Sequence, residues 1–290
     1  MKIQTFSIIT GTAACNASCP YCISKMTGIK KLGFKEPKVN WRNFQKACRL
    51  ASMNTVSTVL LTGKGEPTLY PAQITRFLKN MKPFDFPLIE LQTNGLVFGK
   101  EFKKCKRHLE EWYRLGLTMI AISVVHYKKE KNKEIFTPSS EYIDLGHVIN
   151  DLHKIGFSVR LSCTMIKGYV DSLEEAKKMI GQAREWKVEQ LSLRKLAKPL
   201  ESENKSIFSW TAKHTVSKGN LDRIASLLEK NGNKLMTLAH GSAIYDLEGQ
   251  NVCLTDALTI EPESDDLRQI IFFPDGRLRF DWQFKGAVLI

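Results

Sequence analysis

The chain has 290 residues, of which 43% are hydrophobic, 25% charged and 9% aromatic, enough apolar material for one large domain or a domain with an appendage and too much for a disordered or fibrous protein. A balance of 43 Lys and Arg against 30 Asp and Glu gives a net charge of +13, which favours anionic partners such as nucleotides, RNA or acidic metabolites. No apolar run reaches the roughly 18 residues of a membrane span and no signal-peptide pattern surrounds the apolar patch Phe6 to Thr10, so a cytoplasmic chain without membrane contact is expected, its seven cysteines acting as ligands, catalytic thiols or buried side chains rather than as disulfides.

The β-branched run Ile3 to Thr10 predicts a first strand. The loop after it reads Cys15-Asn-Ala-Ser-Cys19-Pro-Tyr21-Cys22, a Cys-x3-Cys-x2-Cys spacing that chance seldom produces from seven cysteines. Three thiolates within eight residues suit one metal centre. A structural zinc site wants four protein ligands, and Cys48, Cys105, Cys163 and Cys253 are scattered, whereas an iron-sulfur cube on three cysteines keeps one iron open; residue type alone leaves both readings standing.

Further along, short apolar runs alternate with segments of helical period. A helix over Trp41 to Ser52 precedes a strand over Val56 to Thr62, whose end continues as Leu-Leu-Thr-Gly-Lys-Gly-Glu-Pro-Thr-Leu at residues 60 to 69. There Gly63 and Gly65 allow close approach of the backbone to a ligand, and Glu66 offers acceptors to an ammonium group. A helix over Pro71 to Met81 leads to a strand over Leu88 to Thr93 ending in Gln92, Thr93, Asn94 and Gly95. A helix over Lys100 to Leu115, a strand over Met119 to Val124, a helix over Glu141 to Ile155 and a strand over Ser158 to Thr164 follow, then a helix over Ser172 to Trp186 and a sixth strand over Gln190 to Lys195. Gly116 and Gly156 end their helices and Ser172 caps the next. Crossovers this long imply parallel strands covered by helices, open or curled toward a barrel.

After Lys198 the rhythm changes. A polar stretch, Glu201 to Ser206, precedes a helix around Leu221 to Lys230, then short strands, ending in a hairpin of Ile270 to Phe273 and Leu278 to Trp282 about the turn Pro274-Asp275-Gly276. The boundary falls near residue 200, with a core over 1–200 and an α+β extension over 201–290 that closes the barrel or contacts substrate.

The cysteine triplet with Tyr21 beside it, the Gly65-Glu66-Pro67 segment and the Thr93-Asn94-Gly95 turn, each at the end of a successive strand, together resemble the radical S-adenosylmethionine (radical SAM) enzyme superfamily. The resemblance covers residues 3 to about 198 and implies a partial (β/α)6 TIM-like barrel. It implies one 4Fe-4S cluster on Cys15, Cys19 and Cys22, and S-adenosylmethionine held through Tyr21, Gly65, Glu66, Pro67, Thr93 and Asn94. Ser123, Arg160, Ser162 and Leu196 are the positions it offers for ribose, carboxylate and adenine. Lys64 departs from the glycine that many members carry there. The implied chemistry is reductive cleavage of S-adenosylmethionine to a 5′-deoxyadenosyl radical that takes hydrogen from substrate, with a flavodoxin- or ferredoxin-like electron donor; no catalytic side chain is singled out. Only Cys253 lies beyond residue 200, which argues against the second cluster that some members carry there.

Basic residues crowd the loops expected at the mouth: Lys30, Lys31, Lys35 and Lys38, then His126, Lys128, Lys129, Lys131 and Lys133, then Arg194, Lys195 and Lys198. Such a funnel suits phosphates and predicts an anionic, nucleotide-containing small substrate. A second set, Lys100, Lys103, Lys104, Lys106 and Arg107, reads as a solvated helix face. An RNA-modifying member is the alternative enzyme, and a zinc-stabilised nucleic-acid-binding protein the alternative from another class. His240 is read as packed or exposed, and the residues Arg277, Arg279, Asp281 and Trp282 as structural closure.

Overall fold

The computed structural model of the chain describes residues 3–26, 33–99, 102–138, 141–199, 201–238, 241–256, 267–282 and 286–290. In chain order the elements are β1 (Ile3–Ile9), α1 (Ile23–Met26), α2 (Trp41–Met53), β2 (Thr58–Thr62), α3 (Pro71–Met81), β3 (Leu88–Thr93), α4 (Phe102–Arg114), β4 (Met119–Val124), α5 (Lys129–Phe136), α6 (Leu145–Ile155), β5 (Ser158–Met165), α7 (Leu173–Glu185) and β6 (Gln190–Lys195). The remainder forms α8 (Lys205–Lys213), α9 (Lys218–Asn231), β7 (Asn233–Thr237), β8 (Ala243–Leu247), β9 (Gln250–Asp256), β10 (Leu267–Phe272) and β11 (Leu278–Arg279).

All six expected strands are present, and β1 to β6 pair in sequence, every neighbour parallel. This is the expected partial barrel. Its sheet does not stop there: the order is β11-β10-β1-β2-β3-β4-β5-β6-β9-β8-β7, with β10 parallel to β1 and β9 parallel to β6. The strands after residue 200 therefore continue the same sheet at both edges.

Side chains alternate across each strand. Val59, Leu61, Ile89, Leu91, Ile120, Ile122, Val159, Leu161, Leu191 and Leu193 belong to one contiguous apolar core with Phe44, Phe77, Trp112, Ile149 and Met179 of the covering helices. Residues of the other parity, Glu90, Gln92, Ser123, Arg160, Ser162, Ser192 and Arg194, face the concave side of the sheet. Phe44 ties the edge strand to the body, its ring 5.0 Å from both Phe77 and Phe272.

Some boundaries differ from the sequence reading for local reasons. The helix expected from Glu141 starts at Leu145, because the Asp144 side chain accepts the His147 N–H as its cap. The stretch Glu201 to Ser206 is not merely polar: Asn204 caps α8, accepting the Ile207 N–H, and a helix with only Thr211 buried follows. Lys100 and His240 lie outside the described residues. The hairpin stands as expected, β10 and β11 being antiparallel. Among the described residues no helix is long and apolar enough to cross a membrane.

Candidate active site

The loop leaving β1 is fastened to four neighbours before it reaches its cysteines. Thr10 N–H donates to Thr62 O at 2.7 Å, Gly11 N–H to Gln73 Oε1 at 2.5 Å, and the Thr12 and Tyr70 hydroxyls share a 2.5 Å bond. Past them, Glu66 N–H donates to Ala14 O at 2.9 Å and Ser18 N–H to Phe136 O at 2.8 Å. The loop is thus held by residues of β2, of α3 and the turn before it, and of α5. All three cysteines are free thiols, Cys15 exposed and the other two half-buried. Cys22 N–H meets Cys19 O at 3.3 Å where α1 begins.

Burial, then the neighbouring Cys22 and Cys15, push the Cys19 thiol up to about 12; burial also raises Cys15. Thiols raised in this way ionise more readily beside a cation, and metal binding supplies that drive. No three His, Cys, Asp or Glu side chains among the described residues are gathered as a site for a single metal ion. Soft, free thiols on one fastened loop fit an iron-sulfur cluster by the chemistry of the donors. The zinc reading lacks its fourth ligand among the described residues.

The Gly63 to Pro67 segment lies directly under this loop. A Cβ on Gly65 would stand 2.0 Å from Ala14 O, and one on Gly63 2.9 Å from Thr10 O. What approaches these glycines so closely is the cysteine loop itself, which the sequence reading assigned to a ligand. Glu66 is buried and its carboxylate is almost fully used. Oε1 accepts Thr68 N–H at 3.0 Å, Thr68 Oγ1 at 2.7 Å and Thr93 Oγ1 at 2.6 Å, while Oε2 accepts Asn94 N–H at 2.8 Å. Asn94 Nδ2 continues to Asn16 Oδ1 at 2.7 Å and lies 3.7 Å from Cys15 Sγ. One carboxylate therefore joins the ends of β2 and β3 to each other, and Asn94 carries the connection to the cysteine loop. Pro67 follows at the start of a short turn, where its missing N–H costs nothing.

Ser123 and Ser162 stand opposite each other in register on β4 and β5, and Ser162 is opposite Ser192 on β6. Arg160 NH2 reaches Glu90 Oε1 at 2.5 Å, and Arg194 NH1 donates to Ser162 Oγ at 3.3 Å. Tyr21 stacks on Trp210 of α8 with ring centres 6.4 Å apart. Leu196 is buried just after β6. The cysteines, Gly65 to Pro67, Thr93 and Asn94 are thus brought together directly, and Ser123, Arg160 and Ser162 line the concave face near them.

Several groups escaped the sequence reading. Glu90 is a buried carboxylate on the concave face, visible in principle as the one charge in Leu-Ile-Glu-Leu-Gln-Thr. Lys64 is buried with its ammonium 5.0 Å from the Trp282 ring, and burial lowers its pKa to about 8. The basic mouth is partly neutralised in place: Lys131 pairs with Glu134, Lys133 with Glu141, and His126 is buried against Glu175 at 3.3 Å. Lys35, Lys38, Lys128, Lys129 and Lys198 are exposed, and Lys30 and Lys31 lie outside the described residues. On α4, Lys103, Lys104, Lys106 and Arg107 form the expected solvated face.

Asn132 shapes the loop after β4. Fully buried, it accepts Val125 N–H at 2.8 Å and His126 N–H at 3.3 Å and donates to His126 O at 2.6 Å and Lys128 O at 3.0 Å. Asn132→Ala strands these backbone groups and is expected to lower stability in urea by about 2–3 kcal/mol, since unmet buried polar groups cost roughly 1–3 kcal/mol each and water can recover part. An unchanged midpoint would show that the loop holds without it.

A family model described as the radical SAM superfamily matches residues 9–183. Over 173 residues the chain is 27% identical to GTP 3′,8-cyclase of Aquifex aeolicus (strain VF5), covering 59% of this chain and 50% of the cyclase. Among solved structures, Streptococcus suis SuiB bound to precursor peptide SuiA superposes with a TM-score of 0.65 at 13% identity over 97% of this chain and 60% of that one. The structure of native anSMEcpe with bound AdoMet gives 0.56 at 12% identity, over 99% and 77%. The chain spans about half the length of the cyclase and about three-fifths of SuiB, and the two structural likenesses are likenesses of fold.

Proposed function

The chain belongs to the radical SAM superfamily, and on that premise we propose that it is an enzyme that cleaves S-adenosylmethionine reductively at one 4Fe-4S cluster and removes a hydrogen atom from an anionic, nucleotide-containing small substrate. The observation that carries this reading is the fastening of the Cys15-Cys19-Cys22 loop onto Gly65-Glu66 through Glu66 N–H and Ala14 O. It sets three free thiols beside a segment whose backbone carbonyls can accept from an amino acid's ammonium.

When bound and reduced, the cluster would supply one electron to the sulfonium of S-adenosylmethionine, whose S–C5′ bond would break to give methionine and a 5′-deoxyadenosyl radical. The chain's own part is placement and exclusion of water. Cys15, Cys19 and Cys22 hold the metal centre. Backbone carbonyls at Gly65 to Pro67 accept from the ammonium, because Glu66 has a single acceptor position left on Oε2 once Asn94 is counted. Thr93 and Asn94 keep that carboxylate fixed. Ser123, Arg160, Ser162 and Leu196 meet ribose, carboxylate and adenine, with Tyr21 as an aromatic wall backed by Trp210. We place the core over 1–200 and an extension over 201–290 that closes the barrel, a role supported by β10 and β9, which flank the two edges of the six-stranded barrel, and by Trp282 against Lys64 at the mouth. The exposed lysines of the mouth support an anionic substrate and an acidic, flavodoxin- or ferredoxin-like electron donor, in a cytoplasmic setting.

The test of the substrate class is the rate of 5′-deoxyadenosine release from reconstituted, reduced protein offered nucleoside phosphates, dicarboxylates or structured RNA in turn. Acceleration by a nucleotide at least tenfold over the uncoupled rate is expected. Acceleration by RNA alone would transfer the assignment to RNA modification.

A further inference from the structure

Among the described residues, the two arginines Arg160 and Arg194 on the concave face meet one carboxylate, Glu90. Register places three layers there: Gln92, Ala121, Arg160 and Gln190; above them Ser123, Ser162, Ser192 and Cys253; above those Thr164, Arg194 and Thr255. The middle layer consists of small side chains, so the space between the two arginine layers is not filled from these strands. Into it Arg194 reaches down from β6 to Ser162 Oγ, a neutral hydroxyl and its one acceptor among the described residues. Arg160, on β5 in the layer beneath, is held by Glu90, whose same oxygen also accepts Gln92 Nε2 at 2.9 Å. The Arg160 Nε–H is buried without an acceptor among the described residues.

Arg160 thus takes the one carboxylate and Arg194 has none among the described residues, while burial together with the charge of Arg160 pushes the Arg194 pKa down. A desolvated cation without a counter-charge is destabilising, so such an arrangement is stable when an anion completes it. The one carboxylate of S-adenosylmethionine, which the preceding reading gives to this face, can pair with Arg160 and leaves Arg194 without an anion. A second anion would complete the arrangement.

We propose that Arg194, braced on Ser162, is the anchor for an anionic group of the substrate, a phosphate or a carboxylate held by the guanidinium fork within the barrel. This rests on the preceding reading in that the barrel is taken to hold S-adenosylmethionine as well. The planar fork matches either oxyanion with two parallel bonds, which a lysine cannot reproduce.

The test is calorimetric, on reconstituted protein. Pyrophosphate and succinate serve as probes in the presence of saturating S-adenosylmethionine, and S-adenosylmethionine is titrated separately. Wild type is expected to bind one of the two anions. Arg194→Gln should weaken that binding at least tenfold, and Arg194→Lys should recover only part of it, while affinity for S-adenosylmethionine changes less than twofold in both. Unfolding midpoints of both variants confirm that folded protein is compared. Loss of S-adenosylmethionine binding with the anion unaffected would assign Arg194 to the cofactor's carboxylate and overturn the proposal, as would a wild type that binds neither anion. Anion binding lost in Arg194→Gln from a protein that never cleaves S-adenosylmethionine would uphold the anchor and remove the radical reading instead.

Discussion

Cys19→Ala protein, treated anaerobically with iron and sulfide beside the wild type, is expected to remain folded and to lose its cluster. Cys19 is half-buried and packs against the core, so truncation costs about 1 kcal/mol of stability. Its effect on metal is far larger. With only Cys15 and Cys22 left on the loop, and the remaining thiols scattered through β5, β9 and the helices, no third soft donor stands near enough to replace it. Bound iron and sulfide should fall at least tenfold from four of each per chain, and the brown colour should vanish. Retention of one zinc per chain by both proteins, with neither taking up iron, would favour the binding-protein reading.

Glu66→Gln is expected to be the most damaging substitution outside the cysteines. The four donors that converge on this carboxylate leave no place for an amide NH2: one side faces Thr68 and Thr93, the other the Asn94 N–H. Either orientation sets donor against donor. A loss of about 2–4 kcal/mol is expected in urea unfolding, the range for a buried charge-assisted network losing one partner. Its pH dependence is a second signature. Burial holds the Glu66 carboxyl above its ordinary value of 4.5 despite the hydrogen bonds from Asn94, Thr93 and Thr68 that pull it down. The folded protein then binds this proton more readily than the unfolded chain, so the group's contribution falls as pH rises from about the ordinary glutamate range through the raised value. Glutamine does not titrate, and the stability gap between wild type and variant should narrow over that interval. A gap that widens would mean that the hydrogen bonds outweigh burial.

Much of this arrangement was legible before any coordinates. Five of the six strands lie within one residue of their expected limits at both ends, because β-branched runs bounded by Gly, Pro or Asn leave little choice. The cysteine spacing and the Gly65-Glu66-Pro67 segment marked the site because each falls at a strand end. What stayed hidden depends on pairings far apart in the chain. Nothing local tells β10 to lie beside β1, with Ile3 opposite Leu267. Nor could sequence show that the glycines at 63 and 65 accommodate the cysteine loop, since only the folded contact with Ala14 O reveals what comes close. Arg194 read as one more cation of a basic mouth; only the strand register turns it inward toward Ser162. Glu90 was readable and overlooked, a lone charge in a strand otherwise fit for burial.

The central claim is most directly tested by anaerobic reconstitution, chemical reduction and addition of S-adenosylmethionine, with 5′-deoxyadenosine followed by chromatography beside the Cys19→Ala control. Release by the wild type alone, with four irons per chain, is the predicted result. A colourless wild type that retains a single zinc and releases no 5′-deoxyadenosine would contradict the account.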